Sequence, residues 1–144
     1  MILYFTLFIW SFLSATILPL GVEPYFISIV SKSGQVTLPV IVASAGNSLG
    51  GLTLFLMGIA GNQWIIRIVK EEKKIILDKT TSLFRKYGNP VLLFSWVPFA
   101  GDLLVIIVGL SKPDVKTAII YLTIGKTLRF IVLAFFTTRV ETWL

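Results

Sequence analysis

The chain has 144 residues, of which 56% are hydrophobic and only 14% are charged, whereas about 25% of residues are charged in soluble domains. This balance excludes an ordinary soluble domain and predicts an all-α integral membrane protein with a single membrane domain, residues 1–144. The absence of cysteine and histidine excludes thiol chemistry and the usual zinc sites. We therefore expect no enzyme, no metal and no cofactor. The net charge of +6 is concentrated in one stretch, which favours anionic lipids over nucleic acid as partners.

Two of the four apolar blocks are long enough to span a membrane. Residues 36–60 and residues 115–138 both exceed the roughly 20 residues that a helix needs to cross the hydrocarbon core. We predict a transmembrane helix in each of these blocks.

The other two apolar blocks, residues 1–30 and 91–110, are interrupted in the middle, and their halves are too short to cross. Irregular backbone at membrane depth requires cover by protein or by a water-filled cavity. We therefore predict a re-entrant helical hairpin in each block, with kinked full crossings as the alternative. The breaks are placed at Pro19, Pro24, Pro98 and Gly101.

The two halves of the chain form an internal repeat with an offset of 79 residues. The offset relates Pro19 to Pro98, Glu23 to Asp102 and Gly46 to Gly125. We assign repeat 1 to residues 1–60, a linker to residues 61–89 and repeat 2 to residues 90–144. A hairpin returns to its own side, so each repeat crosses once. The pattern then predicts an inverted-topology repeat, as in secondary transporters.

The linker, residues 61–89, contains seven basic and three acidic residues. An excess of Lys and Arg is typical of cytoplasmic segments, so we predict that the linker is cytoplasmic. Its apolar residues recur near helical spacing, with Trp64 at one end. The sequence leaves open whether this is an interfacial amphipathic helix or a solvated helical loop.

The two carboxylates at the breaks, Glu23 and Asp102, are the first candidates for a functional role. Both occur where a second half-helix would begin, so each could simply cap a helix and interact with its positive end. However, a serine or asparagine could cap at lower cost, and ionisable residues at membrane depth are by default functional candidates. Such carboxylates could also exchange protons, so proton coupling is retained as an option.

The last span contributes two cations, Lys126 and Arg129, which share one helix face because they are three residues apart. They are expected to point into the protein, either as ion-pair partners of the carboxylates or as a clamp for a phosphate group. Asn47 occupies the position in repeat 1 that corresponds to Lys126. We assign a packing role at close helix contacts to Gly46, Gly50 and Gly125.

Four segments spread over most of the chain resemble one known family. They are LSATILPLGVEP (13–24), AGNSLGG (45–51), RKYGNPVLLFSWVPFAGDLLVIIVGL (85–110) and GKTLRF (125–130). They resemble the DedA superfamily, also called the SNARE-associated or VTT-domain family, and in particular its small YqaA-like branch. The resemblance implies two facing re-entrant hairpins, movement of lipid head groups such as undecaprenyl phosphate or glycerophospholipids, and location in the inner membrane of a prokaryote.

The chain departs from the main branch of that family at one motif. The pattern R-F-x-P-x-x-R would place arginines at Ser95 and Gly101, and only Pro98 matches. The phosphate-contacting role of those arginines therefore does not carry over. Candidates to replace them are Lys126, Arg129 or Arg85.

Together these features predict a lipid flippase or scramblase that moves anionic head groups through a cavity at the bilayer midplane. The expected partners are an anionic phospholipid or a polyprenyl phosphate, with protons as an optional coupling ion. The alternatives are a small ion- or proton-coupled solute transporter and a non-transporting membrane scaffold. One chain of this length offers few helices to line such a path, so a homodimer is also considered.

Overall fold

The computed structural model describes residues 1–16, 21–61, 63, 67, 74–97 and 100–143, and within these ranges the chain is helical with no β-strand. The predicted breaks at Pro19 and Pro98 and the predicted boundary residue Trp64 lie outside the described residues. The helices are α1 (Ile2–Ser14), α2 (Glu23–Ser33), α3 (Thr37–Ala60), α4 (Lys74–Tyr87), a 3-10 helix (Asn89–Trp96), α5 (Ala100–Leu110) and α6 (Val115–Trp143).

Two helices, α3 and α6, are long and apolar enough to cross a membrane, as predicted for these blocks. Large apolar side chains project outward from both of them, including Ile41 and Leu56 on α3 and Ile131 and Phe135 on α6. Apolar side chains on the outer surface are stable against lipid hydrocarbon. The outer faces of α3 and α6 are therefore the lipid-facing surface.

The helices of the interrupted blocks are short. Helix α1 has 13 residues and α5 has 11, so at about 1.5 Å per residue each is roughly 16–20 Å long. The hydrocarbon core is about 30 Å thick, so neither helix crosses it alone. The first segment of the second interrupted block is a 3-10 helix rather than an α-helix. It follows a turn at Gly88, whose φ of 73° favours glycine.

Each long helix is packed against one short helix of its own half and one short helix of the other half. Helix α1 packs against α3 and the 3-10 helix packs against α6, so each lies on the long helix of its own half. Helices α2 and α5 do the reverse, since α2 packs against α6 and α5 packs against α3. Helices α3 and α6 also contact each other directly. Each half of the chain therefore contributes one short helix that packs on the long helix of the other half.

The three glycines with predicted packing roles lie where backbones approach closely. A Cβ atom on Gly46 would overlap the carbonyl oxygen of Phe8 in α1. A Cβ atom on Gly50 would also meet α1, and one on Gly125 would lie 2.5 Å from Ser95 Oγ in the 3-10 helix. Gly46 and Gly125 are repeat-equivalent. Each therefore contacts the first short helix of its own half.

Helices α3 and α6 run antiparallel, and this fixes which residues lie at the same level. Near one end Ala43 shares an apolar cluster with Ala134, and near the other end Leu54 shares a second cluster with Leu122. Between the two clusters, Gly51 of α3 lies directly against the side chain of Lys126. A layer that contains charged residues is therefore enclosed between two apolar clusters, midway along both long helices.

Candidate functional site

Two ion pairs form the centre of the molecule. Lys126 Nζ contacts Asp102 Oδ1, and Arg129 Nη2 contacts Glu23 Oε1. Both cations project from α6, while one carboxylate comes from each interrupted block. The four charged residues predicted from the sequence are therefore brought together at one level. The sequence had left their pairing open, and the structure assigns each cation to one carboxylate.

The positions of the carboxylates follow from where the short helices begin. Glu23 is the first residue of α2 and Asp102 lies in the first turn of α5, where a negative charge interacts favourably with the helix dipole. The proposed capping role does not hold for Glu23. The N-cap of α2 is Val22, with no side-chain cap hydrogen bond, and the Glu23 carboxylate extends to Arg129 instead.

The two ion pairs differ in burial. The side chain of Lys126 is 0% exposed and that of Asp102 is 23% exposed. The corresponding values are 12% for Arg129 and 26% for Glu23. A fully buried ammonium group requires a counter-charge, because the desolvation cost of an unpaired charge is several kcal/mol. The Lys126 pair is therefore enclosed, and the Arg129 pair is the more accessible one.

Gly51 is a site residue that the sequence analysis missed. A Cβ atom at this position would lie 3.0 Å from Lys126 Cε and 3.4 Å from Leu122 Cδ1. The absence of a side chain on Gly51 thus makes room for the aliphatic part of Lys126. The paired glycines of GNSLGG were a visible signal, but only Gly46 and Gly50 matched the small-residue spacing used for prediction.

Several buried polar side-chain atoms have no hydrogen-bond partner among the described residues. Asn47 is fully buried on α3, and neither its Oδ1 nor its Nδ2 has a hydrogen-bond partner among the described residues. The Nε atom of Arg129 is in the same situation. Buried polar groups are normally hydrogen-bonded, so unsatisfied ones at a functional level are candidates to bind a ligand. Buried hydroxyls without a partner in the described part of the chain are those of Ser11, Ser44, Ser48 and Ser95.

Asn47 is expected to be dispensable for stability but not for activity. Replacing an unsatisfied buried polar group by an apolar group of similar shape is often neutral or stabilising, so Asn47→Leu should keep or raise the melting temperature of the purified protein. If Asn47 serves the polar layer, the same variant should lose activity. Thermal unfolding in detergent and transport in liposomes would check this prediction, and a strong loss of stability would contradict it.

Arg85, the third candidate cation, does not join the cluster. It is exposed on α4 and forms no ion pair with any residue that the structure describes. Within the same residues there is also no group of three or more carboxylates that could hold a metal ion. Among the described residues, the charged layer thus consists of two cations of α6, each paired with one carboxylate.

These features define a helical integral membrane protein with a buried charged layer, and comparison with known proteins identifies its family. The family model of the VTT domain matches residues 18–139. The chain belongs to the VTT-domain family, also known as the DedA family, whose members are generally regarded as membrane transporters. This confirms the resemblance drawn from the sequence.

Individual relatives are bacterial proteins. The chain is 34% identical over 140 residues to the inner membrane protein YqaA of Escherichia coli, covering 96% of this chain and 94% of that protein. The match to YqaA of Shigella flexneri has the same values. An uncharacterized protein of Haemophilus influenzae is 31% identical over 140 residues. The chain is thus an integral inner-membrane protein. No solved structure matches it significantly.

Proposed function

We propose that this protein moves phosphate-bearing lipid head groups across the inner membrane through the charged layer between α3 and α6. The observation that carries the proposal is the position of Lys126 and Arg129. Both cations lie midway along a membrane-spanning helix, and each is held by a carboxylate from an interrupted block. The acyl or prenyl tails would remain in lipid, so only the head group needs the polar layer.

A purely structural role explains the ion pairs less well. Replacing a buried ion pair by apolar residues of similar volume is often neutral or even stabilising, and charges at membrane depth are costly. Binding of an anionic substrate would explain why two cations are placed at this depth. Arginine offers a planar fork that binds two phosphate oxygens, and lysine adds a point charge. The helix N-termini near Glu23 and Asp102 also favour an anion.

The membrane topology proposed for this function is an inverted repeat of two re-entrant hairpins. The short lengths of α1 and α5 support it, since neither crosses the bilayer alone. The exchanged packing of α2 on α6 and α5 on α3 also supports it, because a pseudo-two-fold axis in the membrane plane would produce that exchange.

The topology is testable with single cysteines, because the natural chain contains none. Three exposed serines are suitably placed: Ser31 in the last turns of α2, Ser82 in the linker and Ser111 directly after α5. With hairpins, Ser82→Cys and Ser111→Cys should react with a membrane-impermeant thiol reagent from the same side, and Ser31→Cys from the other. Kinked full crossings would place the cysteines at 31 and 111 together, which would contradict the hairpins.

The function is testable with the purified protein in liposomes. Fluorescent phospholipids and a polyprenyl phosphate would be offered in parallel, because the family motif that would select between them is absent at Ser95 and Gly101. Accelerated translocation of either lipid would support the proposal and identify the lipid class. Solute or proton flux without lipid movement would indicate the solute transporter instead. A well-folded protein with neither activity would indicate a scaffold.

A further inference from the structure

The surface next to the Arg129 pair contains a groove between α1 and α2 with a volume of about 620 Å³. It is lined by Thr6, Trp10, Gly21, Pro24, Tyr25 and Ser28. Gly21 lies two residues before Glu23 and Pro24 directly after it, and a Cβ atom on Gly21 would lie 3.1 Å from Glu23 Oε2. The Glu23 carboxylate therefore lies between the wall of the groove and Arg129.

The surface of this groove is mostly apolar. Three of its six lining residues carry hydroxyl groups, and Thr6 Oγ1 and Tyr25 Oη are hydrogen-bonded to each other at 2.6 Å. Thr6 Oγ1 also donates to the carbonyl oxygen of Leu3, so Tyr25 Oη donates to Thr6 and both hydroxyl protons are used within the protein. A mostly apolar groove that lies beside an ion pair suits the region of a lipid where head group and tails join.

A comparable groove in the second half of the molecule has no accessible ion pair beside it among the described residues. It has a volume of about 550 Å³ and lies between α4, the 3-10 helix and α5. Its lining is apolar except for one tyrosine: Leu83, Tyr87, Pro90, Val91, Leu93, Phe94 and Leu104. Solvent and lipid do not reach the cation of that half's ion pair, because the Lys126 side chain is fully buried against Gly51. Of these two grooves between described residues, the first is therefore the one that lies beside the more accessible ion pair.

We propose that the groove between α1 and α2 is the entrance for the lipid head group, and that the phosphate displaces Glu23 from Arg129 while Lys126 stays paired with Asp102. This inference rests on the proposed function and specifies which of the two cations receives the substrate first. Its occupant is a phospholipid. The anionic phosphate complements Arg129, and the acyl chains leave through the open side of the groove.

Binding at the entrance can be measured without transport. A bimane label on Ile27→Cys, at an exposed position of α2 next to the groove-lining Ser28, would be quenched in detergent by phosphatidylglycerol with brominated chains. The control lipid is galactosyl diacylglycerol with the same brominated chains. We expect half-quenching at about one-tenth of the control concentration, since a tenfold affinity difference corresponds to one charge-assisted contact. Arg129→Gln should remove this preference, and a label on Trp96→Cys should show none.

Transport provides the second readout. Ser28→Trp should fill the groove and slow phospholipid translocation by about tenfold, whereas Leu93→Trp in the second groove should leave it nearly unchanged. Equal quenching of the Ile27→Cys label by both lipids would overturn the inference, because the groove would then be covered by bulk lipid only. Translocation by the wild type that is insensitive to Ser28→Trp would also overturn the entrance and leave the proposed function standing. A phosphate preference at Ile27→Cys without any transport would support the site and refute the function.

Discussion

Asp102→Asn is expected to destabilise the protein by about 3–5 kcal/mol, the typical cost of removing one partner of a buried ion pair. Lys126 is fully buried and packed against Gly51, so the ammonium group cannot reach water when its counter-charge is lost. Thermal or denaturant unfolding of the purified protein in detergent would measure the effect, and the four tryptophans of the chain provide an intrinsic fluorescence signal.

Two further variants test whether the loss of stability comes from the unpaired charge of Lys126. The double variant Asp102→Leu with Lys126→Met should recover most of the stability, because a buried pair can be replaced by apolar residues at little cost. Asp78→Asn is the matched control, since Asp78 is exposed on α4 and surface charges contribute at most about 1 kcal/mol. If Asp102→Asn were as stable as the wild type, Lys126 could not be enclosed as described.

Arg129→Gln is expected to slow lipid translocation by about a hundredfold, which corresponds to roughly 2.7 kcal/mol in the activation barrier. That amount lies within the range measured for loss of one buried charge partner. Glutamine keeps hydrogen-bonding capacity but lacks the charge and the planar fork of arginine. Folding should persist, because the Glu23 side chain is 26% exposed and its carboxylate therefore keeps access to water when Arg129 is lost. The readout is head-group translocation in liposomes at equal amounts of folded protein.

The matched control for Arg129→Gln is Arg85→Gln. Arg85 is also an arginine, but it is exposed on α4 and outside the ion-pair cluster, so its replacement should change translocation less than twofold. Arg129→Lys should fall between the wild type and Arg129→Gln, since it keeps the charge and loses the fork. Equal effects of Arg85→Gln and Arg129→Gln would indicate a general loss of positive charge and would contradict a specific role for Arg129.

Several parts of this architecture could be read directly from the sequence. The two long apolar blocks predicted α3 and α6, because hydropathy and length are properties of the segment itself. The offset of 79 residues identified Glu23 and Asp102 as corresponding residues, and the spacing of Lys126 and Arg129 placed both cations on one face of α6. These predictions depend on local pattern, and the structure shows all four charged residues at one level.

Other parts depend on packing between distant segments and could not be read. Which carboxylate pairs with which cation is decided by the exchange that places α2 against α6 and α5 against α3. The role of Gly51 depends on the antiparallel register that brings it to Lys126. Arg85 was included among the site candidates as a replacement for the family arginines that are missing at Ser95 and Gly101, and the sequence does not tell which cations face the interior.

The most direct test of the account compares two lipids that differ in the presence of phosphate. Liposomes containing the purified wild-type protein would carry either fluorescent phosphatidylglycerol or fluorescent galactosyl diacylglycerol with the same chains, and the rate at which each lipid reaches the opposite leaflet would be measured. The account predicts rapid movement of phosphatidylglycerol above the rate in protein-free liposomes and little acceleration of the galactolipid. Equal acceleration of both lipids would contradict phosphate recognition by Lys126 and Arg129, and no acceleration of either by well-folded protein would contradict this phospholipid-transport account.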